Sequence, residues 1–290
     1  MEISFKRQFV EKYSRLTDFG EYKDAVSKFL RRSIRVNTLK SSVDEVRSLL
    51  KGWTLTQIPW CSDGFYIEND RRDIGNAPGH MQGMFFVQSS VSMIPSVVLN
   101  PSKDDLVLDM AASPGGKTTH LASLMKNKGL IIANDIESSR VRTLVSNLER
   151  CGVMNSVVTM SDALSLKGSY DRILLDAPCS ASGLVRGPTA NSIRTLRIWN
   201  QKTVDRLAKL QKKLITHAYS LLKEKGTMVY STCTLEPEED EQVVDHLLGN
   251  SSARLLSIDL PLKSEDKKYF KIWPQYNDTE GFFVAKMIKP

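Results

Sequence analysis

The chain has 290 residues, 41% of them hydrophobic and 25% charged, which leaves room for one large α/β domain or for one domain and a smaller one. Its longest apolar runs, such as Leu106-Val107-Leu108 and Phe282-Phe283-Val284-Ala285, are far too short to span a bilayer. The N-terminus, MEISFKRQFV, is too charged for a signal peptide, so a cytoplasmic, monomeric protein with no membrane partner is expected. The net charge of +7 is clustered. Arg186, Arg194, Arg197, Lys202, Arg206, Lys209, Lys212 and Lys213 are opposed only by Asp205, and Lys28, Arg31, Arg32, Arg35 and Lys40 have no acid between them. Either cluster alone reads as a solvated face; together they point to a polyanion such as nucleic acid. Cys61, Cys151, Cys179 and Cys233 include no C-x-x-C pair, and the four histidines form no ligand pattern, so no metal site is expected.

In chain order, the pattern predicts short helices over Phe5 to Tyr13 and Tyr22 to Leu30, an extended Ile34-Arg35-Val36, a helix over Val43 to Leu50 and a strand over Thr54 to Ile58. The turn-rich stretch from Asp73 to Gly79 suggests a boundary, with a small N-terminal α+β domain over 1–78 and a larger one over 79–290. Strands are then predicted at Leu106 to Met110, Leu130 to Ala133, Ser156 to Met160, Arg172 to Leu175, Thr227 to Ser231 and Phe282 to Met287. Helices alternate with them at Lys117 to Met125, Ser138 to Arg150, Thr203 to Leu222 and Pro237 to Leu248. This rhythm implies an α/β, Rossmann-like doubly wound, mostly parallel sheet, whose strands are apolar because both faces are covered.

Ligands of such sheets sit beyond the carboxyl ends of the strands. The first of these strands runs into Asp109-Met110-Ala111-Ala112-Ser113-Pro114-Gly115-Gly116-Lys117-Thr118. Paired glycines permit close backbone approach, and a helix N-terminus favours an anionic group. One reading is a phosphate loop with Gly116-Lys117-Thr118 in place and Asp176 as a magnesium-holding acid, although the loop's first glycine would fall on Ala111. The other reading uses Asp135, able to bind two ribose hydroxyls, and Asp162, able to accept from an adenine amine. A glycine loop with these strand-end acids suits a nucleoside with a charged tail, S-adenosylmethionine being the foremost candidate.

Two cysteines lie at neighbouring strand ends, Cys179 in DAPCSASG and Cys233 in YSTCTLEPEEDE. Placed just ahead of a helix capped by Pro237, Cys233 is expected to ionise more readily, an effect the nearby acids oppose. A thiol beside S-adenosylmethionine suits methylation of a pyrimidine at carbon 5, which becomes nucleophilic only after a thiolate adds at carbon 6. Asp176 can stabilise that adduct by hydrogen bonding to the base. Cys61 and Cys151 read as packed thiols.

At this point the chain resembles the Nop2/Sun family of RNA cytosine-5 methyltransferases. The likeness is carried by SIRVNT from Ser33, VQSSVSM from Val87, the glycine loop, the strand-end aspartates, DAPCSASG, YSTCTLEPEEDE and EGFFVA from Glu280. It implies Cys233 as nucleophile and Cys179 as the residue that helps release product. It also implies that Ala111, Ala112, Ser113, Pro114, Gly115, Gly116, Lys117, Asp135, Asp162 and Asp176 surround S-adenosylmethionine, with Arg140 as a further candidate. Asp176 would also reach the cytosine, and Lys117 would lie near both ligands. Ala181, Ser113 and Asp240 depart from the family's usual glycine, alanine and asparagine. The resemblance further implies an RNA-binding N-terminal domain, with transfer RNA as the first expected substrate and ribosomal RNA the second.

Overall fold

A computed structural model describes residues 3–69, 73–264 and 269–290. Two short helices, α1 (Arg7–Tyr13) and α2 (Phe19–Val26), open the chain. A small antiparallel sheet follows, from β1 (Ser33–Val36), α3 (Val43–Leu49), β2 (Thr54–Gln57), β3 (Gly64–Glu68), α4 (Pro78–Met81) and β4 (Phe85–Val87), in strand order β2-β3-β1-β4. Helix α3 starts where predicted because Ser42 and Glu45 form a reciprocal capping box. The turn-rich stretch at 73–79 does not end this sheet, since β4 returns to pair with β1 through Ile34 and Val87. Nor do α1 and α2 pack on it. Phe9, Tyr13 and Tyr22 are buried with Leu196, Trp199, Leu235 and Trp273, which belong to the larger unit.

The larger unit runs from α5 (Ile94–Leu99) through β5 (Leu106–Asp109), α6 (Gly116–Met125), β6 (Leu130–Asp135), α7 (Ser138–Cys151), β7 (Ser156–Met160) and β8 (Tyr170–Asp176). It continues with α8 (Ala190–Ile198), α9 (Gln201–Ser220), β9 (Leu222–Thr232), α10 (Glu241–Gly249), β10 (Arg254–Leu256), β11 (Phe270–Ile272), α11 (Pro274–Asn277) and β12 (Phe282–Ile288). The strand order is β10-β12-β9-β8-β5-β6-β7, with β11 also on β12. Strands β5 to β9 are mutually parallel, and β12 is antiparallel to β9. Apolar layers cover both faces: Ile173, Leu214, Ile215, Tyr230 and Val243 on one side, Val107, Leu121, Leu174 and Val229 on the other. This is the Rossmann-like α/β class that the strand and helix rhythm implied, and it brings the ends of β5, β6, β8 and β9 to one rim. Among the described residues no helix is long and apolar enough to cross a membrane.

Helix α10 begins at Glu241, not Pro237, because residues 237–240 form a turn whose amides at Glu239 and Asp240 both reach the carbonyl of Glu236. Strand β9 starts at Leu222, five residues earlier than predicted from Thr227, since it pairs with Tyr170 before a bulge.

Candidate active site

Two cavities open at the carboxyl rim and meet. The larger, about 560 Å³, is lined by Ala111, Asp135, Ile136, Arg140, Asp162, Cys179 and Leu210 among others. The smaller, about 320 Å³, is lined by Gln88, Ser92, Pro114, Gly116, Lys117, Leu184 and Glu280 among others. Ala111, Ser113, Asp176 and Cys233 line both. A group held in one cavity therefore faces a group held in the other across Asp176 and Cys233.

In the larger cavity Asp135, 3% exposed at the end of β6, accepts from the amides of Ser113 (3.2 Å) and Glu137 (3.3 Å). Arg140 Nε lies 3.0 Å from the same carboxylate, and Arg140 also donates to the Ser113 carbonyl (3.1 Å). Arg140 thus aims Asp135 while itself lining the cavity. Asp162 caps the short turn after β7 by accepting from the Leu164 amide (2.9 Å). Asn134 joins three strand ends. Its amide donates to the carbonyls of Met110 (3.2 Å) and Ser161 (3.0 Å), and its oxygen accepts from Thr159 (2.9 Å) and the Ser161 amide (3.1 Å). The donor set fits S-adenosylmethionine: acceptor-only carboxylates for ribose hydroxyls and for a sulfonium, apolar Ile136, Leu164 and Leu210 for a purine, and a loop turned by Gly115 at φ +99.

In the smaller cavity Lys117 Nζ lies 2.7 Å from Asp176 and 3.1 Å from Ser92 Oγ. Burial alone would lower its pKa, but Asp176 in particular outweighs that and raises it, so Lys117 stays an ammonium. Asp176 also accepts from Ser231 Oγ at 2.7 Å, on the strand directly paired with it. The phosphate-loop reading fails here on geometry. Lys117 turns to Asp176, and the Thr118 hydroxyl, which that reading needs on magnesium, is buried and donates to Asp109 at 2.7 Å. Asp109 lines neither cavity.

The sulfurs of Cys179 and Cys233 lie 2.9 Å apart. The hydrogen bond to Cys233, together with burial, holds the Cys179 thiol well above its ordinary pKa. Helix α10 starts eight residues after Cys233, so Cys233 does not stand directly ahead of that helix as expected; the first turn of α6, with Gly116 and Lys117, lines the smaller cavity with it instead. The acids of LEPEEDE are structural instead. Glu236 is buried against Lys12 (2.6 Å), Tyr13 (3.0 Å) and Trp199 (2.8 Å). Glu239 accepts from the Ser180 amide (2.9 Å) and Gln211 (2.8 Å), fastening the Cys179 loop to the Cys233 loop. Gly183 must lack a side chain, because a Cβ there would sit 2.3 Å from the Gly281 carbonyl. Cys61 and Cys151 are buried, and burial pushes the Cys61 thiol up to about 11.

The three departures from the family pattern each have a local account. Ala181 sits at φ +60, where glycine carries no Cβ penalty. Ser113 donates its hydroxyl to the Arg140 carbonyl (2.9 Å). Asp240 is buried against Thr232 (2.5 Å) and Lys271 (3.1 Å), and burial holds its carboxyl well above the ordinary carboxylate range. Asn134, Ser92, Ser231 and Glu239 were not singled out from the sequence. The adjoining motif residues were the only signal pointing to them, because their roles depend on strand pairing. The basic clusters are only partly surface charge. Arg35 is fully buried and Arg186 is 4% exposed, whereas Arg194, Arg197, Lys202, Arg206, Lys209 and Lys213 are exposed.

The comparisons with known proteins agree with one another. A model of the 16S rRNA methyltransferase RsmB/F family matches residues 96–288, and one of the N-terminal domain of 16S rRNA methyltransferase RsmF matches 5–90. The chain is 42% identical to the tRNA (cytosine(49)-C(5))-methyltransferase of Pyrococcus abyssi, over 98% of this chain and 96% of the relative. It is 41% identical to the ribosomal RNA small subunit methyltransferase F of Psychromonas ingrahamii, of whose length it spans 57%. Among solved structures, a methyltransferase homolog protein from Pyrococcus horikoshii has a TM-score of 0.83 at 34% identity, over 98% of this chain and all of that one. NSun6 from Pyrococcus horikoshii, solved with SFG, an analogue of S-adenosylmethionine, has a TM-score of 0.89 at 25% identity, over 98% of both chains. With a family model covering most of its length and relatives above 40% identity along it, the chain belongs to the RsmB/F (Nop2/Sun) family of RNA cytosine-5 methyltransferases.

Proposed function

We propose that this member of the family methylates carbon 5 of a cytosine in transfer RNA, with S-adenosylmethionine in the larger cavity and the cytosine in the smaller. The observation that carries this reading is the junction, where Cys233 and Asp176 line both cavities and Cys179 Sγ lies 2.9 Å from Cys233 Sγ. In this reading Asp135, Asp162 and residues 111–117 hold the cofactor, with Arg140 orienting Asp135. The bound cofactor supplies an electrophilic methyl group.

The residues of the chain do the rest. Cys233 adds as thiolate to carbon 6, so carbon 5 gains enamine character and would take the methyl group as that group's bond to the sulfonium sulfur breaks, with S-adenosylhomocysteine as the leaving product. Asp176, aimed by Lys117 and Ser231, hydrogen-bonds the ring nitrogen and exocyclic amine and stabilises the adduct. Loss of the carbon-5 proton to a base then re-forms the double bond and expels the Cys233 sulfur. Cys179, kept as a thiol beside that sulfur, assists its departure. The N-terminal region, expected over 1–78 and completed by β4, together with the exposed lysines and arginines of α8 and α9, is the proposed RNA-binding surface. Transfer RNA is preferred over ribosomal RNA because the transfer-RNA relative is matched along 96% of its length.

The test incubates wild type, Cys179→Ala and Cys233→Ala with S-adenosylmethionine and unmodified transfer RNA or 16S ribosomal RNA transcripts. Expected are 5-methylcytosine in transfer RNA with wild type, none with Cys233→Ala, and a protein–RNA adduct on denaturing gels with Cys179→Ala. Adducts that require Cys179 and survive loss of Cys233 would reverse the assignment.

A further inference from the structure

A third cavity, about 460 Å³, lies beside the smaller one and shares Leu184 and Glu280 with it. Its floor is Arg186, whose guanidinium is fixed by Asp278 (2.6 Å) and by the carbonyls of Thr279 and Lys28, so this residue is part of the frame. One wall is α8. Ser192 and Leu196 are its buried positions, while Asn191, Arg194, Thr195 and Ile198 line the cavity. Those four recur at i, i+3, i+4 and i+7, a single helix stripe that the protein itself leaves uncovered. The lining combines apolar and polar groups: Ile198 is 56% exposed and Leu184 39%, and Asn191 and Thr195 offer hydrogen-bonding groups. Arg194 lines the cavity and is exposed, as are Arg197 on the same helix and Lys28, whose carbonyl accepts from Arg186. Phe29, 63% exposed, packs its ring against Gly187, next to the floor residue. The cavity is therefore lined from both basic stretches, by Leu30 from one and by Arg186 and Arg194 from the other, and shares Leu184 and Glu280 with the pocket proposed for the cytosine.

We infer that this third cavity holds the RNA nucleotide immediately next to the target cytosine, with its base between Leu184 and Ile198, its edge read by Asn191 and Thr195, and its phosphate met by Arg194. The inference rests on the cytosine-5 reading of the neighbouring pocket. A nucleobase has two apolar faces and a polar edge on an anionic backbone, and single-stranded bases splayed from a stack are bound through those three features. A target base drawn out of its stack to reach Cys233 leaves its neighbour unstacked as well. Continuity through Leu184 and Glu280 puts the third cavity within one nucleotide's reach.

The experiment uses the full chain and short RNA hairpins around the cytosine that the wild-type enzyme methylates. One hairpin is intact, one is abasic on the 5′ side of the cytosine and one is abasic on the 3′ side. Wild type is compared with Asn191→Ala/Ile198→Ala and with Arg194→Ala. On intact RNA the double variant is expected to lose about tenfold in kcat/KM, the scale of one base–side-chain platform. On one of the two abasic RNAs wild type is expected to lose the same factor and the double variant nothing further. Arg194→Ala is expected to lose activity on all three RNAs and to show a shallower salt dependence. An unchanged double variant on intact RNA, or equal losses on all three RNAs, would overturn the inference while leaving the cytosine-5 reading standing. Absence of 5-methylcytosine from every RNA with wild type would overturn both.

Discussion

Asp109 closes β5 directly behind the glycine loop, and burial pushes its carboxyl up to about 7 despite the hydrogen bond from Thr118 and the nearby Lys117 ammonium. A carboxyl whose folded pKa lies above its unfolded value holds its proton more tightly in the folded state. Folding stability at this residue is therefore greatest at acid pH and falls as pH rises from the unfolded value near 4 through 7, then stays level. A displacement of that size corresponds to about 4 kcal/mol. Asp109→Asn keeps an acceptor for Thr118 without the charge. Its stability relative to wild type is expected to rise by a few kcal/mol between about pH 4 and pH 7 and to be flat above. Urea denaturation across that range reads it, and parallel pH profiles for the two proteins would contradict the account. Lys117 shows the opposite solution to burial: its charge is kept because Asp176 sits 2.7 Å away. A lysine after paired glycines suggested a phosphate ligand from sequence, and only the side-chain direction separates that role from one of aiming a carboxylate.

The two loops that carry the cysteines act as one element, because Glu239 bridges them. Its carboxylate takes the Ser180 amide and the Gln211 side chain, and its carbonyl accepts from Tyr230 at 2.6 Å. Glu239→Ala takes this acceptor from the part-buried Ser180 amide and leaves Gln211 Nε2 with only the Pro178 carbonyl (2.8 Å), which is expected to cost about 1–3 kcal/mol of stability. If Cys179 assists release, the same variant should accumulate part of the adduct that Cys179→Ala accumulates. Glu239→Gln supplies a neutral acceptor in the same place and should restore both, as thermal melts and denaturing gels would show. Adduct accumulation with Glu239→Gln equal to that with Glu239→Ala would show that charge, not tethering, governs release. The sequence made the cysteine pair and the strand-end aspartates legible, because each follows a run of apolar residues that can only be a covered strand. It did not reveal the bridge. Gln211 lies on the apolar face of α9 among Leu207, Leu214 and Ile215, and no local pattern marks a buried glutamine as a partner for an acid in a turn. The same limit hid β3, β4, β10 and β11, strands of three to five residues without enough alternation to register. It hid α8 too, whose outward stripe is half polar.

At the scale of the whole molecule, the small sheet and the methyltransferase sheet are joined through a buried cation that has no acidic partner in contact among the described residues. Arg35, on β1, donates to Thr119 Oγ1 (2.8 Å), the Gly116 carbonyl (3.3 Å) and Gln88 Oε1 (3.1 Å). Gln88 in turn donates to the Ser92 carbonyl (3.0 Å), and the Ser92 hydroxyl accepts from Lys117. Burial pulls the Arg35 guanidinium down to about 10, so its charge is carried in the folded state at a cost. A side chain kept at such a cost, in contact with the first turn of α6 and one residue from Lys117, is placed to set the cytosine side of the glycine loop. The opposite side, where Asp135 and Asp162 stand, makes no contact with it. Arg35→Met fills similar volume without charge or donors. Removing a buried ion in favour of an apolar group is often near neutral for stability, here offset by the acceptors it leaves at Gln88 and Gly116. The expected signature is a kcat lowered roughly ten- to a hundredfold, the scale of a displacement of about 1 Å in a catalytic group. Affinity for S-adenosylhomocysteine, measured by calorimetry, should stay within about twofold, because of the residues proposed to hold it only Gly116, through its carbonyl, is bonded to Arg35, while Asp135, Arg140 and Asp162 are held by other partners. Equal losses in both would mean that Arg35 serves the fold as a whole; a loss in kcat alone would mean that the small sheet sets the position of Lys117, and through it Asp176.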